Sequence, residues 1–380
     1  MTQGTSPFRD SPKQFRPNPE YFNPKQHDHK TPTFFSRPDR IADPLYVVTP
    51  VINGNRSRVR WKMYEDFAKH VAESGAILYT VEVAFGERDF VITESGNPFH
   101  IQMRTNQELW LKERAINLAV QRLPLDWKYV AWVDADCKFL RDDWANETIQ
   151  TLQHFPIAQM WSHLVDLDQH SNIIGTLRSF MDVKQQVAAA TTAAAPRVAT
   201  AAVAPTSMYS KSAMIAPAVA APVGAGAVFG SPGLAWAARK ETFNQLGGVF
   251  DQSILGAGDW YFAKALFGES SDTELRRDMT PAFWQKLIAY EDRIKNSKWE
   301  ERSILGNVGL VKGTVAHYWH GPRTARKYGT RDAILSRYDF DPDTDLKTDW
   351  QGLYQLTDRK PGMRREIQQY FSERNEDAQF

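Results

Sequence analysis

At 380 residues the chain is long enough to bury a large core, either as one α/β unit or as about two domains. A formal net charge of +1 gives no global attraction to nucleic acid or to an anionic membrane. The single cysteine, Cys137, excludes an intramolecular disulfide and fits a reducing compartment. There is no run of about 18 strongly apolar residues and no apolar signal-peptide core at the N-terminus. The expectation is a soluble, cytoplasmic protein with no membrane partner.

Residues 1–40 are rich in proline and charge without sustained periodicity, which predicts an extended arm. The globular part opens with a strand at Leu45-Tyr46-Val47-Val48-Thr49, closed by Pro50. A loop with Asn53, Gly54, Asn55 and Arg56 follows. Trp61, Tyr64, Phe67, Ala68 and Val71 recur at helical spacing. Ala76–Val83 reads as a second strand, and Phe90–Thr93 and His100–Met103 as two short ones around the turn Gly96-Asn97-Pro98. Leu109–Val120 reads as a helix ending before Pro124. It leads into Val130-Ala131-Trp132-Val133-Asp134-Ala135-Asp136, a buried strand ending in two carboxylates. Alternation of strand and helix predicts an α/β fold with a mostly parallel mixed sheet flanked by helices.

Residues 187–228 are dominated by alanine, and prolines at 196, 205, 217 and 222 break any long helix. This stretch reads as a long mobile excursion from the domain. Order resumes at Gly230–Ala238. Residues 281–295 form an amphipathic helix, Val308–Trp319 a glycine-interrupted strand pair, and Gly362–Glu373 a last helix. The expected organisation is an arm at 1–40, a catalytic domain at 41–340 carrying the Ala-rich loop, and a C-terminal extension at 341–380.

Five motifs carry chemistry. In a strand, residues i and i+2 point to one side, so Asp134 and Asp136 are expected to face one crevice. Hard anionic oxygens there suit Mg2+ or Mn2+; the alternative is an Asp capping the turn at Arg141-Asp142-Asp143-Trp144. A glycine-rich segment ends at Gly256-Ala257-Gly258-Asp259, presenting a carboxylate that is either a general base or a helix N-cap. His317 and His320 are candidate metal ligands or half-buried strand-end histidines. Arg323, Arg326 and Arg331 could clamp phosphate oxygens or form a solvated basic face. On the helix before the Asp-x-Asp strand, spacing brings Glu113, Arg114 and Asn117 near one another, as ordinary helix pairing also would.

In this order the pieces resemble a GT-A-fold glycosyltransferase, similar in layout to the β-1,4-galactosyltransferase group and its bacterial and phage relatives. Val47-Val48-Thr49-Pro50 with Asn55-Arg56 looks like the opening strand and turn that line the uridine pocket. Arg114-Ala115-Ile116-Asn117 is similar to the family's Asn-Arg-Ala-x-x-x-Asn helix. Asp134-Ala135-Asp136 matches the metal-binding Asp-x-Asp, and implies Asp136 as the direct ligand with Asp134 helping. Gly233–Arg239, with Trp236, is similar to the segment that seats the donor sugar. Gly256-Ala257-Gly258-Asp259-Trp260 sits where the family has Trp-Gly-x-Gly-Glu-Asp, which implies Asp259 as catalytic base beside Gly258. Ala257-Gly258 stands where an acidic pair is usual. His317 and His320 fall where the family places a Met and a His on the metal. The run from His320 to Tyr328 looks more like phage-encoded relatives, some of which glycosylate hydroxymethylated DNA bases.

The resemblance implies a Mn2+- or Mg2+-dependent transfer of a sugar from a nucleotide sugar, UDP-linked, to an acceptor hydroxyl with inversion. The acceptor is expected to be modified DNA, or else a glycan or small molecule. Two other classes stay open: a metal-dependent phosphodiesterase or nucleotidyltransferase, and a carbohydrate- or DNA-binding virion protein without turnover.

Overall fold

The computed structural model describes residues 43–193, 230–271, 279–321, 326, 327 and 330–374. The predicted arm, the Ala-rich stretch beyond residue 193 and Arg323 lie outside the described residues.

The strands are β1 (Leu45–Ile52), β2 (Ile77–Phe85), β3 (His100–Thr105), β4 (Tyr129–Val133), β5 (Cys137–Phe139), β6 (Ile157–Gln159), β7 (His163–Leu167), β8 (Ile173–Arg178), β9 (Ala235–Arg239), β10 (Lys298–Trp299), β11 (Arg302–Ser303), β12 (Val308–Leu310), β13 (Thr314–His317), β14 (Leu346–Thr348) and β15 (Tyr354–Leu356). The helices are α1 (Arg58–Glu73), α2 (Lys112–Val120), α3 (Trp144–His154), α4 (Phe180–Ala193), α5 (Lys240–Leu246), α6 (Gly258–Ala265), α7 (Pro281–Lys295), α8 (Ala333–Arg337), α9 (Pro342–Asp345) and α10 (Pro361–Ser372).

A seven-stranded sheet runs β12-β6-β9-β4-β1-β2-β3. Only β9 is antiparallel to its neighbours, so the expected mostly parallel mixed sheet is present. Both faces are buried, which is why β1 and β4 are almost wholly apolar. Leu45 and Val47 join Tyr129, Ala131 and Val133 on one face, against Phe67 and Val71 of α1 and Trp144 and Leu152 of α3. Tyr46 and Val48 join Val130 and Trp132 on the other, against α2, α6 and α7. The same α2-side core takes in Leu353, Leu356, Met363, Ile367 and Tyr370, so residues 346–370 pack on the sheet-covering layer.

A four-stranded sheet, β5-β13-β7-β8, adjoins the end of β4. The chain crosses from one sheet to the other through Asp134-Ala135-Asp136. Strands β12 and β13, predicted as one pair, belong to different sheets.

Phe90–Thr93 does not form the predicted strand. The backbone N–H groups of Val91, Ile92 and Thr93 donate to the buried Glu82 carboxylate instead, so their hydrogen bonds are spent on a loop anchor. Of the Ala-rich stretch, 187–193 finishes helix α4. Among the described residues no helix is long and apolar enough to cross a membrane.

Candidate active site

The site forms where the two sheets meet. Strand β13 lies between β5 and β7, with His317 in register with Cys137 on one side and Asp166 on the other. Asp166 Oδ1 lies 2.7 Å from His317 Nδ1, which turns Nε2 of that ring toward Asp136 and His320. His317 Nε2 is 4.0 Å from Asp136 Oδ2, and His320 Nε2 is 2.9 Å from the same oxygen. The two imidazole Nε2 atoms are 3.3 Å apart. The backbone N–H of Tyr318 donates to Asp136 O at 2.8 Å, tying the aspartate's loop to the histidine segment.

Three ligand atoms, one each from Asp136, His317 and His320, lie within 4.8 Å of one another. Asp136 Oδ1 is buried and has no hydrogen-bond partner among the described residues. A buried carboxylate oxygen left unpaired is costly unless something cationic meets it. His320 is neutral: burial and the Arg326 guanidinium push its pKa down to about 3, so its ring keeps a lone pair to offer. For Asp136, burial disfavours the charge, yet His320, His317 and Arg60 outweigh it and hold the carboxyl well below its usual range. An ionised carboxylate oxygen with two imidazoles is a donor set suited to Mn2+ and related divalent ions. The residues present therefore fit the metal that the sequence implies.

Asp134 goes elsewhere. Its carboxylate pairs with Lys112, the first residue of α2. Residues 134–136 form a turn between sheets, not a continuing strand, so the i, i+2 rule stops applying at Val133. The metal-ligand cluster contains Asp136 without Asp134. Lys112 keeps its charge: burial opposes it, but Asp134, Glu113 and Asp259 hold its pKa above the ordinary lysine value.

Lys112 also lines a narrow pocket with Glu113, Trp132, Gly233, Gly258 and Asp259. Asp259 sits in the first turn of α6, just after Ala257, whose left-handed φ of 69° turns the chain into the helix. The N-cap position belongs to Ala257, which makes no side-chain cap. Asp259 Oδ1 accepts the N–H of Trp260 at 2.9 Å. A methyl group at Gly233 would come within 2.8 Å of Asp259 Oδ2, so the glycine backbone lies close beside that carboxylate.

The remaining predicted residues fall into distinct places. Thr49 Oγ1 donates to Val133 O at 2.8 Å and is fully buried, while Pro50 lies within β1. Asn55 Nδ2 donates to Phe371 O at 3.1 Å and to Arg374 O. Arg56 is exposed, at a left-handed φ of 54°. Arg114 and Asn117 share Asp251, at 3.1 and 2.9 Å, as their helical spacing allows. Glu113 leaves that pair and faces Gly258. Trp236 is a core residue whose Nε1 donates to Pro232 O at 2.6 Å. Arg326 Nη2 approaches His320 Nε2 at 2.9 Å, next to the cluster. Arg331 is buried beside Gly256, 3.5 Å from Tyr370 OH. Asp166 and Arg60 were not legible as site residues. Asp166 sits in an ordinary-looking strand, and Arg60 meets His320 Nδ1 at 3.5 Å from 260 residues away in sequence.

No family profile matches the chain, and no curated protein matches it. Solved structures similar to it include the catalytic domain of Drosophila β1,4-galactosyltransferase 7 in complex with xylobiose. It is 12% identical, with 85% of this chain and 98% of that chain covered and a TM-score of 0.33. A mutant of the same enzyme in complex with manganese, UDP-Gal and xylobiose gives 13% identity, the same coverage and a TM-score of 0.32. A Desulfovibrio desulfuricans protein described as a nucleotide-diphospho-sugar transferase gives 14% identity, 32% and 58% coverage and a TM-score of 0.22.

Proposed function

We propose that this chain is a metal-dependent glycosyltransferase of the GT-A type. It moves a sugar from a nucleotide sugar, UDP-linked, to an acceptor hydroxyl with inversion. The observation that carries this reading is the Asp136–His317–His320 cluster with its unpaired carboxylate oxygen, joined to the pocket at Asp259 through Asp134, whose partner Lys112 lines that pocket.

A divalent cation held by Asp136, His317 and His320 supplies, when bound, positive charge for the departing diphosphate. Arg326 and Arg60, both against His320, add cationic charge on the same side. Lys112 neutralises Asp134, so an anionic donor meets a site where one of the two aspartates is already paired. Asp259 takes the acceptor's hydroxyl proton on its carboxylate. The new bond from that oxygen to the anomeric carbon forms as the carbon–diphosphate bond breaks, and a single displacement inverts the centre.

A panel of nucleotide sugars with Mn2+, scored for nucleoside diphosphate release with glycan and hydroxymethylated-DNA acceptors, tests this. One sugar nucleotide is expected to turn over, and chelation to stop it. Asp259→Asn is expected to keep donor binding and lose transfer by about 100-fold or more. Full transfer by that variant removes Asp259 as the base. Nucleotide hydrolysis without sugar transfer points instead to a phosphodiesterase. Acceptor affinity that falls steeply with salt favours DNA over a neutral glycan.

A further inference from the structure

Helix α10 has a packing face and a polar end. Met363, Ile367 and Tyr370 recur at i, i+4 and i+7, so one face enters the α2-side core. The end of the helix meets two segments that both reach His320. In the first, Asn55 in the loop after β1 donates its Nδ2 to Phe371 O at 3.1 Å and to Arg374 O. That loop is closed on itself: Asn53 Oδ1 accepts the Ser57 N–H and Asn53 Nδ2 donates to Ser57 O, both at 2.8 Å. It leads directly into the first turn of α1, which carries Arg60. In the second, Tyr370, only 3% exposed, donates its hydroxyl to Arg326 O at 3.2 Å. One turn on, Glu373 pairs with Lys327.

These segments deliver two guanidinium groups to one imidazole. Arg60 Nη2 is 3.5 Å and Arg326 Nη2 3.2 Å from His320 Nδ1. Like charges so close repel, so the chain around them must hold their spacing. Arg326 Nη2 is also 2.9 Å from His320 Nε2, which puts its guanidinium beside the Asp136–His317–His320 ligands.

We propose that Tyr370 and Glu373 are positioning residues of the donor site: from α10 they hold residues 326 and 327 so that Arg326, beside Arg60, presents its guanidinium to the donor's diphosphate. This rests on the glycosyltransferase reading above and adds to it the element that holds the cationic side of the site. A guanidinium fork meets phosphate oxygens through paired hydrogen bonds, and a fork held in place beforehand loses less side-chain entropy when the anion binds. Packing of Met363, Ile367 and the Tyr370 ring explains why α10 stays docked; it requires neither a hydroxyl at 370 nor a carboxylate at 373. Residues 361–374, expected from the sequence as an extension beyond the catalytic domain, thereby belong to the donor site.

The test uses the full-length chain in saturating Mn2+, with inorganic pyrophosphate and UDP as probes read by calorimetric titration. Arg326→Ala is expected to weaken both by about tenfold. Tyr370→Phe, which keeps the ring in the core and removes only the hydroxyl, is expected to weaken both by about fivefold, the value of one hydrogen bond, with affinity for Mn2+ alone changed less than about twofold. Glu373→Gln is expected to act in the same direction by about twofold. In an Arg326→Ala background neither substitution is expected to weaken binding further. General loosening of the fold would weaken binding with or without Arg326, so this comparison separates positioning from a purely structural role. Unchanged pyrophosphate affinity in Tyr370→Phe, or a loss of the same size in the Arg326→Ala background, overturns the inference. If Tyr370→Phe does not fold, Glu373→Gln decides by the same two comparisons. A wild-type chain that binds Mn2+ but neither pyrophosphate nor UDP overturns the glycosyltransferase reading and this inference with it. Wild-type binding that is indifferent to Tyr370 and Glu373 overturns only their role.

Discussion

Asp166 Oδ1 sits 2.7 Å from His317 Nδ1, across the register pair that joins β7 to β13. A carboxylate on one imidazole nitrogen fixes which tautomer the ring adopts and aims the other nitrogen, here toward Asp136 and His320. The strand pairing thus sets the orientation of the His317 ring.

From that relationship, Asp166→Asn is expected to weaken Mn2+ affinity by about 10- to 100-fold while leaving the circular dichroism spectrum unchanged. Calorimetric titration checks it. Affinity equal to wild type would mean that His317 is oriented by packing alone.

His320 couples the site to acid stability. Buried and beside Arg326, it titrates at about 3 in the folded protein, against about 6.5 in an unfolded chain. As pH falls below about 6.5 the unfolded chain gains a proton that the folded one refuses. The stability that neutral His320 contributes is therefore complete above that pH and declines toward pH 3, by up to about 1.4 kcal/mol per pH unit. Urea unfolding of the metal-free protein between pH 7 and 4 is expected to show a shallower pH slope in His320→Gln than in wild type. Parallel slopes would place the acid sensitivity in other groups.

Gly258 is the tightest point around the Glu113 carboxyl. Gly258→Ala puts a methyl group 2.5 Å from Glu113 Cδ. The expected cost is about 1–3 kcal/mol of stability, because a packed site has nowhere to put it. In the double variant Gly258→Ala/Glu113→Ala most of that loss is expected to return, since the clash is removed. Additive losses in denaturant midpoints would show that the methyl group clashes with something else.

Much of this arrangement was legible in the residues. The strand Tyr129–Val133 and its acidic end, the helix at 281–295 and the His-x-x-His segment all appear where hydrophobic pattern and spacing put them. What sequence could not give was which sheet each piece joins. Asp134 and Asp136 read as one strand end, yet the chain changes sheets between them, sending one carboxylate to Lys112 and the other to the histidines. Glu113, Arg114 and Asn117 read as one helix cluster, but the helix is buried on several sides, and Glu113 faces a different neighbour from the other two. Asp166 carried no local signal, because its role comes from a pairing 151 residues distant in sequence. Non-local register decides such contacts, and periodicity does not report it.

The central claim is one divalent cation gripped by Asp136, His317 and His320. The most direct measurement is an electron paramagnetic resonance titration of free Mn2+ against the wild-type protein and Asp136→Ala. One saturable ion per wild-type chain, lost in the variant, is the predicted result. Equal Mn2+ uptake by both proteins, or none by either, would contradict it.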